Sequence, residues 1–290
     1  MAFGIIIIGD EILSGRRSDK HLAKMIELLG ERGLSLGWAE YIGDDPQRIT
    51  TTLRRTLSSD DIVFCCGGIG ATPDDHTRQC AADAIGAPLQ LHTEAKALIQ
   101  QRIVEMAEKD PIKADLNSAE NQHRLKMGEF PQGAEIIPNA FNRIPGFSLS
   151  GATGGKHYFV PGFPVMAEPM MKWALDTHHS HLFHAVKHLE KAVIVVDGIE
   201  SALTPLMEAI ELEFAGVKVF SLPSVAYRLG GRNTLAMIRS ASPRHCAVRW
   251  PRMTLCSAAG VLVLRRMITP VSVRRTLSAR LYSCMPKPRH

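Results

Sequence analysis

Residues 214–290 contain no aspartate and no glutamate. That absence divides the chain into two compositions. Residues 221–290 carry twelve Arg and one Lys, whereas residues 1–220 hold all 29 acidic residues against 21 basic ones. The formal net charge of +5 therefore describes neither part. No run approaches the roughly 18 apolar residues needed for a membrane span, so no membrane association is expected. No basic residue precedes the first isoleucines and two carboxylates follow them, which argues against a secretory signal. The six cysteines, Cys65, Cys66, Cys80, Cys246, Cys256 and Cys284, show no C-x-x-C spacing. Reduced thiols in a cytoplasmic protein are the expectation. A P-loop Gly-Lys-Ser/Thr, a G-x-G-x-x-G fingerprint, a G-x-S-x-G elbow and internal repeats are all missing. The commonest nucleotide and serine-hydrolase signatures are thereby excluded.

What the chain does have begins with "GIIIIGDEILSG", Gly4–Gly15. Four consecutive β-branched residues fit a central strand of a parallel sheet, covered by helices on both faces. Such sheets place their ligands beyond the carboxyl ends of the strands, where Asp10 and Glu11 stand. A helix follows, capped by Ser18, with Leu22, Met25, Ile26 and Leu29 at helical spacing and Gly33 at its end. Residues 34–42 read as a strand, Pro46 opens a helix carrying Ile49, Leu53 and Leu57, and Asp61–Cys66 reads as another strand. Helices are expected over about 75–85 and 93–108. This alternation predicts a doubly wound α/β domain.

Further on, residues 134–138 and 157–162 read as strands. A helix starts near Pro164, with its first turns expected to be irregular at Pro169. A strand over 192–198, a helix over 199–213 and a strand over 217–225 form a smaller unit. The expected organisation is a domain over 1–185, a small strand–helix–strand lobe over 186–225 and a basic, acid-free segment over 226–290.

Between the Asp61–Cys66 strand and its helix lies "GGIGATPDDHT". Glycines there let the backbone approach a ligand and leave N–H groups free for an anion. Asp74 and Asp75 beside such a site make sense if Mg²⁺ bridges carboxylate and phosphate; alternatively, one of them only caps the helix. Asp10, Gly67–Gly70 and Asp75 would converge if the two strands are neighbours. His184 and His188 have the i, i+4 spacing of a helical metal pair, but the accompanying Glu of H-E-x-x-H is missing, and a solvated connector is the favoured reading. Cys65 and Cys66 are read as core.

Three stretches carry a family resemblance. "IIIIGDEILSGRRSDKHLAKMIELLGERG", "DIVFCCGGIGATPDDHT" and "FVPGFPVMAEPMM" resemble the motifs of the molybdopterin-binding MoCF domain. The nearest version is that at the N-terminus of the CinA (competence/damage-inducible) group and its stand-alone bacterial relatives. The pattern G-D-E-I-L-x-G falls at Gly9–Gly15, G-G-x-G-x-T-x-D-D-x-T at Gly67–Thr77, and P-G-x-P-x-x-M at Pro161–Met166. The likeness runs over roughly residues 1–225.

The resemblance implies a three-layer α/β/α fold of the MogA type, with a mostly parallel sheet, plus a small α+β lobe. It implies a pocket for a phosphate-bearing pterin (molybdopterin) or nucleotide, with Mg²⁺ expected. Asp10 and Asp75 would be the carboxylates that act there, Asp75 also holding the metal. Gly9, Glu11, Gly67, Gly68, Gly70, Thr72 and Asp74 would contact the ligand, and Pro161 and Gly162 would shape the opposite wall. Related domains adenylylate molybdopterin or assist metal insertion, and others act on nucleotides. The activity is therefore open between a binding module and an enzyme of Mg²⁺-dependent nucleotidyl transfer or pyrophosphate hydrolysis. A nucleic-acid binder built on the basic tail ranks last, because that tail lacks a recognised motif or aromatic stacking surface. A homo-oligomer is expected for a protein of this kind.

After Val225 the resemblance stops, at the same place where the composition changes. Enrichment in Arg, Ser, Pro and Cys with loss of Asp and Glu is what an out-of-frame reading of a GC-rich gene yields. A solvated basic tail fits poorly, because "AAGVLVLRRMI" is apolar. Translating the gene in its other two frames past codon 225 should reveal a segment of mixed charge that continues the family pattern. If neither frame does so, the frameshift reading fails.

Overall fold

In this computed structural model, residues 1–108, 115–185, 187–196, 199–214, 216–225 and 232–242 are described. The chain divides into two units, Met1–Ala185 and Val186–His290. In chain order the first unit contains β1 (Phe3–Ile8), α1 (Asp10–Leu13), α2 (His21–Glu31), β2 (Leu36–Ile42), α3 (Pro46–Leu57), β3 (Ile62–Cys66) and α4 (Thr77–Ile85). It continues with β4 (Leu89–Leu91), α5 (Thr93–Ala107), α6 (Ala119–Lys126), β5 (Glu129–Pro131), β6 (Glu135–Ile137), β7 (Gly146–Ser150), β8 (Lys156–Val160) and α7 (Pro164–His178). Six strands form one sheet in the order β2-β1-β3-β8-β7-β6. The pairs β2–β1, β1–β3 and β3–β8 are parallel; β8–β7 and β7–β6 are antiparallel, so β7 alone runs against the others. The short β4 and β5 pair separately.

The isoleucine run explains the layering. Successive side chains of a strand point to opposite faces. Phe3, Ile5 and Ile7 join Met25, Leu28 and Leu29 of α2 and Ala167, Met170, Met171, Ala174 and Leu175 of α7 in one core. Ile6 and Ile8 join Ile49, Leu53 and Leu57 of α3 with Cys80 and Ala81 of α4 in the other. Each fully buried isoleucine is worth about 1.5–3 kcal/mol relative to exposure, so this strand anchors both sides. The result is a three-layer α/β/α fold with a mostly parallel sheet. Cys65 and Cys66 lie in the two cores, and burial raises both thiols well above their ordinary range.

Local chemistry sets several element ends. Pro46 opens α3 behind Asp45, whose carboxylate accepts from the Arg48 amide at 2.7 Å. Ser18 does not cap α2. The N-cap position is Lys20, whose side chain makes no cap; Asp19, one residue ahead, accepts instead from the amides of His21 (2.8 Å) and Leu22 (3.1 Å), one on each carboxylate oxygen. Helix α7 runs unbroken from Pro164 to His178 despite Pro169, held by its buried face against the sheet.

The second unit contains β9 (Lys187–Val196), α8 (Glu200–Glu213), β10 (Val217–Val225) and β11 (Arg232–Ser242), with an antiparallel sheet in the order β10-β11-β9. Strand β11 lies beyond the expected limit of the lobe at residue 225; most of the 226–290 segment lies outside the described residues. No helix among the described residues is long and apolar enough to cross a membrane.

Two histidines are buried in the first unit without a carboxylate partner. His157 Nε2 lies 2.9 Å from Thr56 Oγ1, and His179 Nε2 lies 2.8 Å from the Tyr158 hydroxyl. Burial pushes both rings down to about 4 from an ordinary value of 6.5. The unfolded chain therefore binds protons that the folded chain refuses, and the stability present above pH 6.5 is lost as pH falls towards 4. Urea unfolding measured across that window should show stability dropping steadily, with uptake of up to about two protons on unfolding. A flat profile there would show that these rings are solvated.

Candidate functional site at the carboxyl edge of the sheet

Strands β1, β2, β3 and β8 all end at one edge, and their connecting loops meet there. The Gly67 amide donates to the Val160 carbonyl at 3.0 Å, which joins the end of β3 to the end of β8. The Gly9 amide donates to the Ile42 carbonyl at 3.0 Å, which joins the end of β1 to that of β2. Gly67 has φ +111°, and a Cβ there would stand 2.2 Å from the Ile8 carbonyl oxygen. At Gly68, φ is +67° and a Cβ would stand 2.2 Å from Thr77 Oγ1. Gly67 is thus required by close backbone approach, and Gly68 by its positive φ and the buried Thr77 side chain against it. Gly162 lies against Gly67, so Pro161 and Gly162 border the glycine bend directly.

The glycine bend leads into α4. The Thr77 amide donates to the Gly68 carbonyl at 3.0 Å, while the Thr77 hydroxyl, completely buried, has no partner. Thr72 is differently placed. Its amide and its hydroxyl both donate to Asp75 Oδ2, at 2.8 and 2.5 Å, so Asp75 ties the loop to itself ahead of the helix. Asp74, next to it, is exposed. Arg78, largely buried, donates to the Gly70 carbonyl at 2.7 Å and to the Lys126 carbonyl, fixing the loop from behind.

Carboxylates gather on the other side. Asp44 Oδ2 accepts from the Asp10 amide at 2.8 Å, and Asp10 Oδ1 accepts from the Asp44 amide at 3.3 Å. Burial raises the Asp44 carboxyl; the Asp10 amide opposes this, and the charges of Asp10, Glu11 and Asp74 add to the rise. Asp10, Glu11, Asp44 and Asp74 therefore share one electrostatic neighbourhood, drawn from three loops. Glu11 also faces Arg17 Nη1 at 3.8 Å, and the Arg17 guanidinium lies 5.0 Å above the Phe163 ring, linking the loop after β1 to the loop after β8. Sequence reasoning passed over Asp44; its signal was a third acidic strand end, "IGDD". It also passed over Asp19, His21 and, as a single residue, Thr77. The histidines near the end of α7 form no metal cluster among the described residues. The His188 side chain lies outside the described residues.

Comparison with known proteins places this arrangement. Residues 4–181 match the family described as "Probable molybdopterin binding domain". A CinA-like protein of Syntrophotalea carbinolica is 30% identical over 218 residues, covering 72% of this chain and 50% of that protein. Protein Ta0487 of Thermoplasma acidophilum is 31% identical over 220 residues, covering 76% and 79%. The crystal structure of a CinA protein of unknown function from Thermoplasma acidophilum superposes with a TM-score of 0.50 at 29% identity, covering 60% of this chain and 95% of that one. The chain belongs to the molybdopterin-binding MoCF domain family and, within it, to the CinA-like group. It spans half the length, or less, of the first CinA-like relatives it matches.

The Thr77 hydroxyl and the Gly68 bend fit each other so tightly that they can be tested together. Gly68→Ala should disturb the loop through both the clash and the positive φ, lowering the melting temperature by several degrees, whereas Thr77→Val removes a hydroxyl that has no partner and should change it little. Equal losses from both would mean that the hydroxyl has a structural partner.

Proposed function

We propose that the carboxyl edge of the sheet binds a phosphate-bearing pterin or nucleotide, with the phosphate at the glycine bend and the N-terminus of α4. One observation carries this reading: a completely buried hydroxyl, Thr77 Oγ1, has no partner at the first residue of a nine-residue helix, directly behind Gly68. An unsatisfied buried polar group costs about 1–3 kcal/mol, and a phosphate oxygen would satisfy it together with the amides of the helix start. The membership of the chain in a molybdopterin-binding family supports a pterin, and the same geometry accepts a nucleotide.

The carboxylates fit Mg²⁺ in one way only. No group of three or more His, Cys, Asp or Glu among the described residues could hold a metal alone, and Asp75 already accepts from Thr72. Mg²⁺ commonly keeps waters and uses one or two carboxylates plus substrate phosphates. Asp75 would thus hold it, with the substrate phosphates and waters as the other ligands, as an ion that arrives with the phosphate and supplies charge neutralisation there. The acidic neighbourhood around Asp44 favours a second reading, phosphoanhydride chemistry, because charge gathered beside a phosphate site requires such a cation. Symmetric assembly remains part of this reading.

Calorimetric titration with a panel of nucleotides and pterin phosphates, with and without Mg²⁺, tests the proposal, and phosphate release followed in parallel separates binder from enzyme. Thr77→Val should weaken binding by about tenfold or more, the value of one hydrogen bond to a charged oxygen. Asp75→Asn should reduce the Mg²⁺-dependent part of the affinity. Binding indifferent to both substitutions would move the site elsewhere.

A further inference from the structure

Five buried side-chain atoms among the described residues have no hydrogen-bond partner, and three belong to residues beside the carboxyl edge: Thr77 Oγ1, Arg78 Nε and His21 Nε2. His21 opens α2 and lies on its buried stripe with Met25, Leu28 and Leu29, which packs towards the sheet. The residue is buried, with 4% of its surface exposed. The opposite ring nitrogen is fully occupied. His21 Nδ1 stands 2.9 Å from Asp19 Oδ1, and Asp19 also accepts from the Tyr41 hydroxyl at 2.9 Å and from the amides of His21 and Leu22. Burial alone would raise the Asp19 carboxyl, but these donors outweigh it and hold it below the usual range. An ionised carboxylate only accepts, so Nδ1 carries a proton and donates it. In the neutral ring this leaves Nε2 as a bare acceptor with a fixed direction.

The position matters as much as the tautomer. Tyr41 directly precedes Ile42, whose carbonyl receives the Gly9 amide. The charge of Asp19 acts on the Cys66 thiol, the residue before Gly67. The Asp19–His21 pair therefore stands where β1, β2 and β3 end. It approaches from the layer of α2, while Thr77 approaches from the layer of α4. A phosphate oxygen without a proton offers nothing to a bare acceptor. An N–H or O–H donor does.

We propose that His21 Nε2 accepts a hydrogen bond from an N–H or O–H donor on the non-phosphate part of the ligand, and so distinguishes a pterin or nucleoside head group from bare phosphate. This rests on the phosphate site argued above. Tyr41 and Asp19 act as positioning residues for it.

The test compares ADP, neopterin triphosphate and inorganic pyrophosphate, each with Mg²⁺, on the full chain and on His21→Asn. Asparagine keeps an N–H donor near Nδ1 for Asp19 and removes Nε2. The expected result is a loss of about tenfold or more in affinity for whichever head-bearing probe binds best, with pyrophosphate affinity unchanged. The head group that shows the loss names the ligand class. Unchanged affinity for all three probes would overturn the role of His21 while leaving the phosphate site standing. An equal loss for pyrophosphate would also overturn it, assigning His21 to support of the loop. Failure of the unmutated chain to bind any probe would defeat the phosphate site itself. Should His21→Asn not fold, the imidazole ¹⁵N resonance of His21 in the unmutated chain decides: it should move with the head-bearing probe and not with pyrophosphate, and immobility with both would overturn the proposal.

Discussion

The approach of Gly67 to the end of β1 is the constraint from which the rest of the site follows. A backbone with no side chain is pressed against the Ile8 carbonyl while its amide is bonded to Val160. Three adjacent strands are therefore fastened at the edge where their chains leave the sheet. The loops that depart from them start from fixed points only a few ångströms apart. Without that contact, Asp10, the glycine bend and Pro161–Gly162 would belong to three separate surface loops. With it, they meet at one edge of the sheet.

The two cores make this fastening possible. Isoleucines buried on both faces do not by themselves set a register; Gly4, which alone leaves room for the Trp38 ring beside it, and Gly67 against the Ile8 carbonyl do. The register of β1 with β2 and β3 is thereby fixed, and with it the height at which each loop leaves the sheet. The reactive chemistry of the buried thiols is suppressed by the same burial. Cys65 and Cys66 end the strand at that edge, yet their raised thiols keep them out of nucleophilic chemistry.

Much of this was legible in the sequence, and the reasons are physical. The strands β1 and β3 announce themselves because burial on both faces leaves only apolar residues, and the glycine bend because no other residue type fits its backbone. Strand β7, "GFSLS", was missed: a glycine and two serines dilute its alternation, and only its pairing with β6 and β8 makes it a strand. Helix α6, "AENQHRLK", has almost no apolar stripe and could not be seen by periodicity. Asp19 and Ser18 are adjacent and equally good caps on paper; the fold selects the carboxylate because it must also serve His21 and Tyr41. The difference between Thr72 and Thr77 is invisible in one dimension. One hydroxyl is spent on Asp75 and the other is left alone, which only packing decides.

Arg78 gives this edge a mechanical partner. One guanidinium grips the Gly70 carbonyl in front and the Lys126 carbonyl, at the last residue of α6, behind. The position of the glycine loop is thereby tied through one planar fork to the end of α6 and to Glu129 and Phe130 beyond it. Coupling of this kind is reciprocal: a contact that shifts α6 alters how readily the loop yields, by the same free energy with which the loop displaces α6. A helix of polar sequence that adds no apolar side chain to either core is thus the one tied to the front of the sheet.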